Sequence, residues 1–375
     1  MNIVKLKDIS INNRGYYGIG AAAVEYDDNK YTYLRITDIN DDGTLNVDGL
    51  MSVDDEKSEH YLLEKNDIVF ARTGASTGRN YFYDGEIENL VYAGFLIKFS
   101  LNANLVNPRY VKYYCLSQKY NDWIESSLTG STRPNINEKQ LSDMPIELPD
   151  SAYQDKVVKL LDSITKKIKI NNEINNNLYE ISKQILLKYL EDNSNSEEIN
   201  ISKLLNVFTG KKNANETSQN GKYKFFSCAP DSLLSDTYTY DGPAIIVAGN
   251  GAYTGRTRFY DGKFELYQRT YGLTLKDDVN KNNIYGLYVF MKTIFEPDKM
   301  GGTHGSAIPY IVLSDLTDYK LKYNKIEFEK FSDLVSNNIK MIQENEKNNE
   351  ELSQLRDTLL PKLMNGEIDL DKIEI

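Results

Sequence analysis

The chain has 375 residues, of which 40% are hydrophobic, 26% charged and 11% aromatic. This length suffices for two cored domains, since single cores rarely grow beyond about 250 residues, and the apolar content excludes bulk disorder. No stretch approaches the roughly 18 apolar residues of a membrane helix, and Met1–Ser10 lacks a signal-peptide core, so we expect a cytoplasmic chain with no membrane partner. Two cysteines and two histidines exclude a disulfide framework and argue against a zinc site.

The charge of the chain is unevenly distributed. The formal net charge of −11 argues at first against nucleic acid as a partner. Residues 1–150 carry 15 basic and 23 acidic side chains, whereas residues 199–322 carry 15 and 12, and residues 70–140 hold eight basic against six acidic ones. Because net charge governs solubility and long-range steering and not what one face binds, DNA binding stays open.

The sequence contains an internal duplication. Ala71–Gly85 reads ARTGASTGRNYFYDG and Ala248–Gly262 reads AGNGAYTGRTRFYDG, with ten of fifteen positions identical. Further along, Gly130–Ile136 reads GSTRPNI and Gly305–Ile311 reads GSAIPYI, and a Leu-Ser-Asp follows each. The motifs occur in the same order in both halves, so one module is present twice.

In chain order, short apolar runs predict buried strands at 67–71 and 243–248, each ending in a glycine-rich turn. Residues 81–85 and 258–262 are predicted as the return strands of hairpins closed by Asp-Gly turns. Asn107 is predicted to cap a helix with Pro108 in its first turn. Each half is therefore expected to be a mixed α/β domain followed by a long helix.

The long helices are predicted from apolar residues at steps of three and four. In the first half these are Val157, Leu160, Leu161, Ile168, Leu178, Ile181, Ile185 and Leu186. The second half supplies Phe331, Leu334, Val335, Ile342, Leu352, Leu355, Leu359 and Leu360. Asparagines interrupt both stripes, and we predict that the two rods, about 50–60 Å long, pack as a coiled coil with polar midpoints tuning its register. The alternative is two unrelated, solvent-exposed helices.

We find no motif for catalysis in the sequence. Gly249–Thr257 resembles a phosphate-binding loop, but its glycine spacing is wrong by one and Arg256 stands where lysine is required. The Gly18-Ile-Gly20 segment lacks the third glycine of a dinucleotide motif. Arg109 replaces the second proline of the Asn-Pro-Pro-Tyr motif of amino-methyltransferases, and no cofactor glycine motif precedes it. We therefore predict a chain that catalyses nothing by itself and has no catalytic or metal-ligating residues.

A duplicated module followed by long helices suits the recognition of two separated sites on duplex DNA. Base readout uses side chains that offer donors and acceptors to base edges. The predicted DNA-binding residues of the first half are Arg72, Thr73, Ser76, Arg79, Asn80, Thr129, Ser131, Thr132, Arg133 and Asn135. Those of the second half are Asn250, Tyr253, Arg256, Arg258, His304, Ser306 and Tyr310.

Comparison of the two copies sorts these residues into two groups. Positions that differ, such as Arg72 against Gly249, are predicted to carry different base readout. Positions that match, such as Arg79 and Arg256, are predicted to be structural or to face phosphates. The alternative for each arginine is a surface position or an ion pair with an aspartate such as Asp84.

The order of variable domain, Leu-rich helix, variable domain and Leu-rich helix resembles the specificity subunit of Type I restriction–modification systems. The duplicated loops, the segment Met144–Pro149 after Leu-Ser-Asp, and Leu359–Ile368 resemble that family's recurring segments. The resemblance implies a mixed α/β fold with the two long helices paired as an antiparallel coiled coil. It implies target-recognition domains at 1–150 and at 193–323, the latter with a short N-terminal linker, a central helical spacer at 151–192, and a distal helical spacer and C-terminal tail at 324–375.

The resemblance also implies a function. The two domains would read a bipartite, asymmetric target in double-stranded DNA, and the helices would fix the unread spacer and dock two methyltransferase subunits. Those subunits would bind S-adenosylmethionine and methylate adenine, so no cofactor is expected in this chain, and a restriction subunit could join. One alternative is a scaffold whose modules bind only proteins. Another, a self-sufficient methyltransferase, would require cofactor binding by this chain.

Overall fold

The computed structural model describes residues 2–128, 134–213, 215–294 and 309–372. It contains two compact units, which we call unit 1 (Met1–Lys166 with Leu352–Ile375) and unit 2 (Lys167–Glu351). Each unit therefore contains part of both long helices. The sequence-based domain boundaries divide the chain consecutively, and they stay a prediction.

Unit 1 holds two four-stranded sheets and a strand pair. Its strands are β1 Asn2–Lys5, β2 Tyr16–Tyr17, β3 Ala23–Val24, β4 Tyr31–Leu34, β5 Met51–Val53, β6 Asp67–Ala71, β7 Asn80–Tyr83, β8 Leu90–Tyr92, β9 Leu96–Ser100 and β10 Pro145–Leu148. One sheet is antiparallel in the order β2-β9-β6-β7; the other has the order β3-β5-β4-β8, with β4 and β8 parallel, and β1 pairs with β10. Its helices are α1 Pro108–Tyr114, α2 Gln118–Leu128, α3 Glu138–Ser142, the first part of α4 Ser151–Asp192 and the last part of α7 Lys325–Met364.

The core of unit 1 lies between the antiparallel sheet and helices α1 and α2. Phe70, Phe99 and Tyr110 are fully buried in one apolar cluster there. Helix α1 begins where the sequence predicts, because the Asn107 side chain accepts a hydrogen bond of 3.0 Å from the Arg109 backbone N–H. Pro108 occupies the first turn, where a missing N–H costs nothing. This cap prediction is confirmed.

Unit 2 is built around one six-stranded sheet. Its strands are β11 Glu198–Asn200, β12 Leu205–Thr209, β13 Tyr223–Phe226, β14 Leu233–Ser235, β15 Tyr240–Ala248, β16 Thr257–Leu266, β17 Thr270–Leu275 and β18 Lys320–Lys322. The sheet has the order β12-β17-β15-β16-β13-β14, and β11 pairs with β18. Its helices are the second part of α4, α5 Asn283–Ile294, α6 Leu313–Thr317 and most of α7 Lys325–Met364.

The duplication seen in the sequence is present in the strand order. The order β2-β9-β6-β7 of unit 1 corresponds to β12-β17-β15-β16 of unit 2. The predicted Asp-Gly closing turn is wrong for unit 2, because β16 continues through Asp261 and pairs Gly262 with Gly242 of β15. Gly262 and Gly242 have positive φ angles, of 140° and 132°, which glycine adopts readily. The two strands of the hairpin therefore continue beyond Asp261-Gly262 without a turn there.

The long helices pair in opposite directions within each unit. In unit 2, the amide of Asn171 donates to Asn349 at 2.8 Å, and the amide of Asn345 donates to Asn175 at 2.8 Å. From Asn171 to Asn175 of α4, the partner in α7 moves back from Asn349 to Asn345, so the two helices are antiparallel. In unit 1, Val157 and Leu161 of α4 share a core with Leu363 of α7. The predicted antiparallel helix pair and the mixed α/β fold are confirmed.

The predicted apolar stripe needs correction. Ile181, Leu334 and Leu355 are 52%, 65% and 47% exposed, whereas Asn171 and Asn175 are 1% and 9% exposed. The asparagines interrupt the apolar stripe but lie in the interface, as predicted for the polar midpoints of the coiled coil, because amides from the two helices satisfy each other's hydrogen bonds. The buried side chains of α4 include Val157, Leu161, Ile164, Asn171, Asn175, Ser182, Leu186 and Tyr189. Their steps of four and three, or of seven, follow a heptad.

The linker between the two halves, residues 191–198, is short and held in place. Its first two residues end α4 and its last begins β11. Asn193 is buried and its amide donates to the Tyr189 carbonyl at 2.9 Å, so the segment is anchored to the helix by its own polar groups. Within the described ranges, none of the helices has the length and apolar character needed to cross a membrane.

Candidate nucleic-acid interface

The two glycine-rich motifs form loops with the same backbone. We call residues 72–79 loop 1 and residues 249–256 loop 2. The Gly78 N–H donates to the Ala71 carbonyl at 2.9 Å, and the Gly255 N–H donates to the Ala248 carbonyl at 2.8 Å. Gly78 and Gly255 have φ angles of 92° and 85°, in the left-handed region where side chains are disfavoured. The matching glycines are therefore required by the loop conformation.

The second motif of each half lies against the loop of the same half. In unit 1 the Gly74 N–H donates to the Pro134 carbonyl at 3.1 Å, and Thr73 pairs with Asn135 as an isolated bridge. The Thr77 hydroxyl contacts the carbonyls of both Gly74 and Pro134. Two motifs that are separated by about 60 residues in sequence thus form one surface.

Unit 2 repeats this arrangement bond for bond. The Gly251 N–H donates to the Pro309 carbonyl at 3.2 Å, and Asn250 pairs with Tyr310. The Thr254 hydroxyl lies 2.8 Å from the Gly251 carbonyl and 2.9 Å from that of Pro309. The identity of these glycines, prolines and threonines between the copies therefore reflects a shared frame.

Two of the predicted site residues of unit 1 are committed to internal contacts. The Arg79 guanidinium donates to the Asp41 carboxylate at 2.6 Å and to the Ile39 carbonyl at 3.2 Å. Asn80 is 5% exposed, and its amide donates to the Cys115 carbonyl at 2.8 Å. The sequence offers Asp84 as an alternative partner for the predicted DNA-binding arginines. It pairs instead with Arg109, which is not one of them, at 2.9 Å.

Other predicted residues of unit 1 remain available at the surface of loop 1. The Arg72 guanidinium lies over the Tyr17 ring, 4.9 Å from its centroid. Among the described residues its buried Nε has no hydrogen-bond partner. Thr73 and Ser76 are half-buried and Asn135 is exposed. The remaining predicted residues, Thr129, Ser131, Thr132 and Arg133, lie outside the described residues.

Unit 2 places its predicted residues around loop 2. The Arg256 guanidinium lies 4.4 Å from the centroid of the Tyr253 ring, and Tyr253 is 38% exposed. Asn250 accepts a hydrogen bond from the Cys228 thiol at 3.1 Å, beside the exposed Tyr310.

Arg258 lies deeper in unit 2 than the loop residues do. Its guanidinium donates to the Ala229 carbonyl and lies 5.7 Å from the centroid of the Phe226 ring. Burial, with the nearby Arg256 charge, lowers the pKa of Arg258 from its usual range. The two other predicted residues of this half, His304 and Ser306, lie outside the described residues.

Sequence reasoning missed three residues at these loops. Tyr17 supplies the ring beneath Arg72. Phe95, 60% exposed, and Arg269, also exposed, occupy equivalent turns, because their carbonyls accept hydrogen bonds from the backbones of Arg72 and Gly249. No local motif marks these turns. The loop alignment, with its offset of 177, pairs Phe95 with Gly272, so a shift of three residues between the copies hides the correspondence of Phe95 with Arg269.

The comparison with protein families decides the relationship of this chain. The family model of the Type I restriction modification DNA specificity domain matches residues 1–180 and again residues 193–354. The chain belongs to this family. The double match corresponds to the duplicated loops, and it confirms the predicted family and the prediction of a specificity component in place of a catalytic one.

Individual relatives agree with the family match over shorter stretches. The chain is 33% identical over 120 residues to the EcoDI specificity subunit of Escherichia coli, covering 32% of this chain and 26% of that relative. It is 26% identical over 133 residues to the HindI specificity subunit of Haemophilus influenzae, covering 35% of this chain and 29% of that relative. The similar stretches thus span less than a third of these two proteins.

A solved structure supports the fold over nearly the whole chain. The S subunit of a Type I restriction–modification system from M. genitalium covers 96% of this chain, which covers 95% of that structure, with a TM-score of 0.58. The sequence identity is 17%, so the similarity supports the architecture and not the function.

Proposed function

We propose that this chain is the non-catalytic DNA-recognition subunit of a Type I restriction–modification complex. The observation that carries the proposal is one loop frame present twice with different side chains on it. Thr73 in loop 1 corresponds to Asn250 in loop 2, and Ser76 corresponds to Tyr253. Because different donors and acceptors select different bases, the two units would read different half-sites, which makes the target bipartite and asymmetric.

The proposed DNA contacts are made by the predicted side chains at the two loops, with the exception of Arg79, Asn80 and Arg258. In unit 1, Arg72, Thr73, Ser76 and Asn135 would contact the DNA, with Thr129, Ser131, Thr132 and Arg133 from the adjoining segment. In unit 2 the corresponding set is Asn250, Tyr253, Arg256 and Tyr310, with His304 and Ser306. Arg79, Asn80 and Arg258 would support the loops, because their side chains already bind the protein. Phosphate contacts would make the affinity strongly salt-dependent.

The helices would serve as the spacer and as the docking surface. Ile170, Ile174 and Ile181 of α4 are 38%, 37% and 52% exposed, and at 100° per residue they share one helix face. Leu334 and Met341 of α7 are also exposed, seven residues apart. Exposed apolar stripes of this kind mark protein interfaces. Two methyltransferase subunits, which would bring S-adenosylmethionine, are the proposed partners, and a restriction subunit could join them.

The proposal is tested by co-expressing the chain with its cognate adenine methyltransferase and mapping methylated adenines across the host genome. We expect a single split motif with a fixed gap. Methyltransferase expressed alone is the control and should leave no such motif. A stable complex without new methylation would overturn the proposal and favour a scaffold that binds only proteins.

Exchange of residues 70–140 for the same segment of a relative separates the two functions further. DNA recognition predicts a new half-site on one side of the gap and an unchanged half-site on the other. Scaffolding predicts a changed choice of protein partner and no motif. The exchange leaves loop 2 and the helices untouched, so the second half-site is an internal control.

A further inference from the structure

The matching arginines of the two loops have different surroundings. Arg79 is bound by the Asp41 carboxylate and the Ile39 carbonyl. Arg256, at the equivalent position, has no acidic partner among the described residues and lies against Tyr253 instead. Position 76 of loop 1, which corresponds to Tyr253, is a serine and offers no ring. Identity in sequence therefore does not mean identity of role here.

In loop 1 the arginine that lies on a tyrosine ring is the first residue of the loop, whereas in loop 2 it is the last. Arg72, the first residue of loop 1, lies over Tyr17, a residue of β2 that is 42% exposed. The corresponding position of loop 2 is Gly249, where the structure has no room for a side chain: a Cβ there would lie 2.5 Å from the Arg269 carbonyl oxygen. Each loop thus has one arginine backed by a tyrosine ring, the first residue in loop 1 and the last in loop 2.

A ring-backed arginine is well prepared to read a base. Stacking on an aromatic face holds the planar guanidinium in place and leaves its N–H edge available. A guanidinium edge matches the O6 and N7 acceptors of guanine in the major groove, which is the commonest specific arginine contact. In Arg79, by contrast, Nε donates to the Asp41 carboxylate and Nη1 to the Ile39 carbonyl, so two protein acceptors already hold the guanidinium.

We infer that Arg72 and Arg256 are the guanine-reading residues of the two half-sites, that Tyr17 and Tyr253 position them, and that Arg79 is structural. The inference rests on the proposed function, since it assigns the bases that the two loops would read. It differs from the expectation that the matched pair Arg79 and Arg256 share one role.

The test measures base preference in the full chain with its cognate methyltransferase. Arg72→Ala should relax one guanine position of one half-site, with discrimination there falling about 5- to 150-fold, and Arg256→Ala should do so in the other half-site. Arg79→Ala is the matched control and should leave both half-sites unchanged. Relaxation by Arg79→Ala in place of Arg72→Ala would overturn the inference, as would a uniform loss at all sequences with Arg72→Ala.

The role of Tyr17 needs a readout that separates positioning from folding. Tyr17→Phe keeps the ring and loses only the hydroxyl that accepts from the Glu138 N–H at 3.2 Å, so guanine discrimination should persist. Tyr17→Leu should lose discrimination at the same guanine position as Arg72→Ala. Equal loss from both variants would show that the hydroxyl contact and not the ring matters.

A DNA analogue tests the same contact without changing the protein. Replacing the assigned guanine by 7-deazaguanine removes the N7 acceptor, so the unmodified complex should bind less tightly, whereas the Arg72→Ala complex should bind both DNAs equally. A normal motif with no response to the analogue would refute the arginine assignment and leave the proposed function intact. Absence of any motif from the unmodified chain would refute the proposed function and this inference with it.

Discussion

Units 1 and 2 build the same loop on different sheets. In unit 1 the strands divide between two four-stranded sheets, whereas in unit 2 β16 continues through and joins six strands into one. Loop 1 and loop 2 nevertheless share their backbone hydrogen bonds, and the Thr77 and Thr254 hydroxyls also make equivalent hydrogen bonds. The loop frame is therefore set by the glycine, threonine and proline positions that the two motifs share, and not by the layout of the sheet behind it.

The largest expected effect concerns the helix pair. Inserting four residues after Asn175 in α4 alone should prevent complex assembly, because the insertion shifts one side of the asparagine pairing by about 6 Å. A matched insertion before Asn345 in α7 should restore pairing and lengthen the gap in the methylation motif. Co-purification with the methyltransferase and motif mapping measure the two effects, and restored assembly with an unchanged gap would exclude the helices as the ruler.

The next effect tests loop 1 against its surroundings. Gly78→Ala should destabilise unit 1 by about 2 to 4 kcal/mol, because the added Cβ combines a left-handed backbone with overpacking, 2.8 Å from Ile124 Cγ2. Gly74→Ala is the control: its φ is 74° but a Cβ there meets nothing within 4 Å, so only the backbone penalty applies. Denaturant unfolding measures both, and equal losses would show that the contact with α2 is unimportant.

Loss of the threonine hydroxyl of each loop should have a smaller effect on stability, equal in the two units. Thr77→Val and Thr254→Val each remove a hydroxyl that bridges two carbonyls, so each should cost about 1 kcal/mol. Urea unfolding of the two variants gives the comparison. A much larger cost in one unit would mean that the shared frame is stabilised differently in the two copies.

The smallest expected effect separates loop support from readout. Asp41→Ala removes the carboxylate that binds Arg79, and because the Asp41 side chain is 85% exposed the loss should not exceed about 1 kcal/mol. The methylation motif should stay the same. A changed first half-site would show that a freed Arg79 reaches the DNA, and would weaken the contrast between the two loops.

The fold could be predicted largely because its signals are local and repeated. The cap at Asn107, the turns at Gly78 and Gly255 and the rods all follow from short-range patterns. The sequence predicts the asparagines as polar midpoints of the coiled coil but not their individual partners, since nothing in it says that Asn349 of the other helix lies opposite Asn171. The fate of Arg79 likewise depends on Asp41, 38 residues away in a segment without a repeated motif.

The division of the long helices has a consequence for synthesis of the chain. Unit 2 is one continuous stretch, but the core of unit 1 includes Leu360, Leu363 and Leu370. The ribosome, at about 5 to 20 residues per second, needs about 10 to 40 s to travel from residue 166 to residue 370. During that interval the apolar face around Val157 and Leu161 lacks its covering helix, so unit 2 can finish folding first while unit 1 waits for residues 352–370, which are made after all of unit 2.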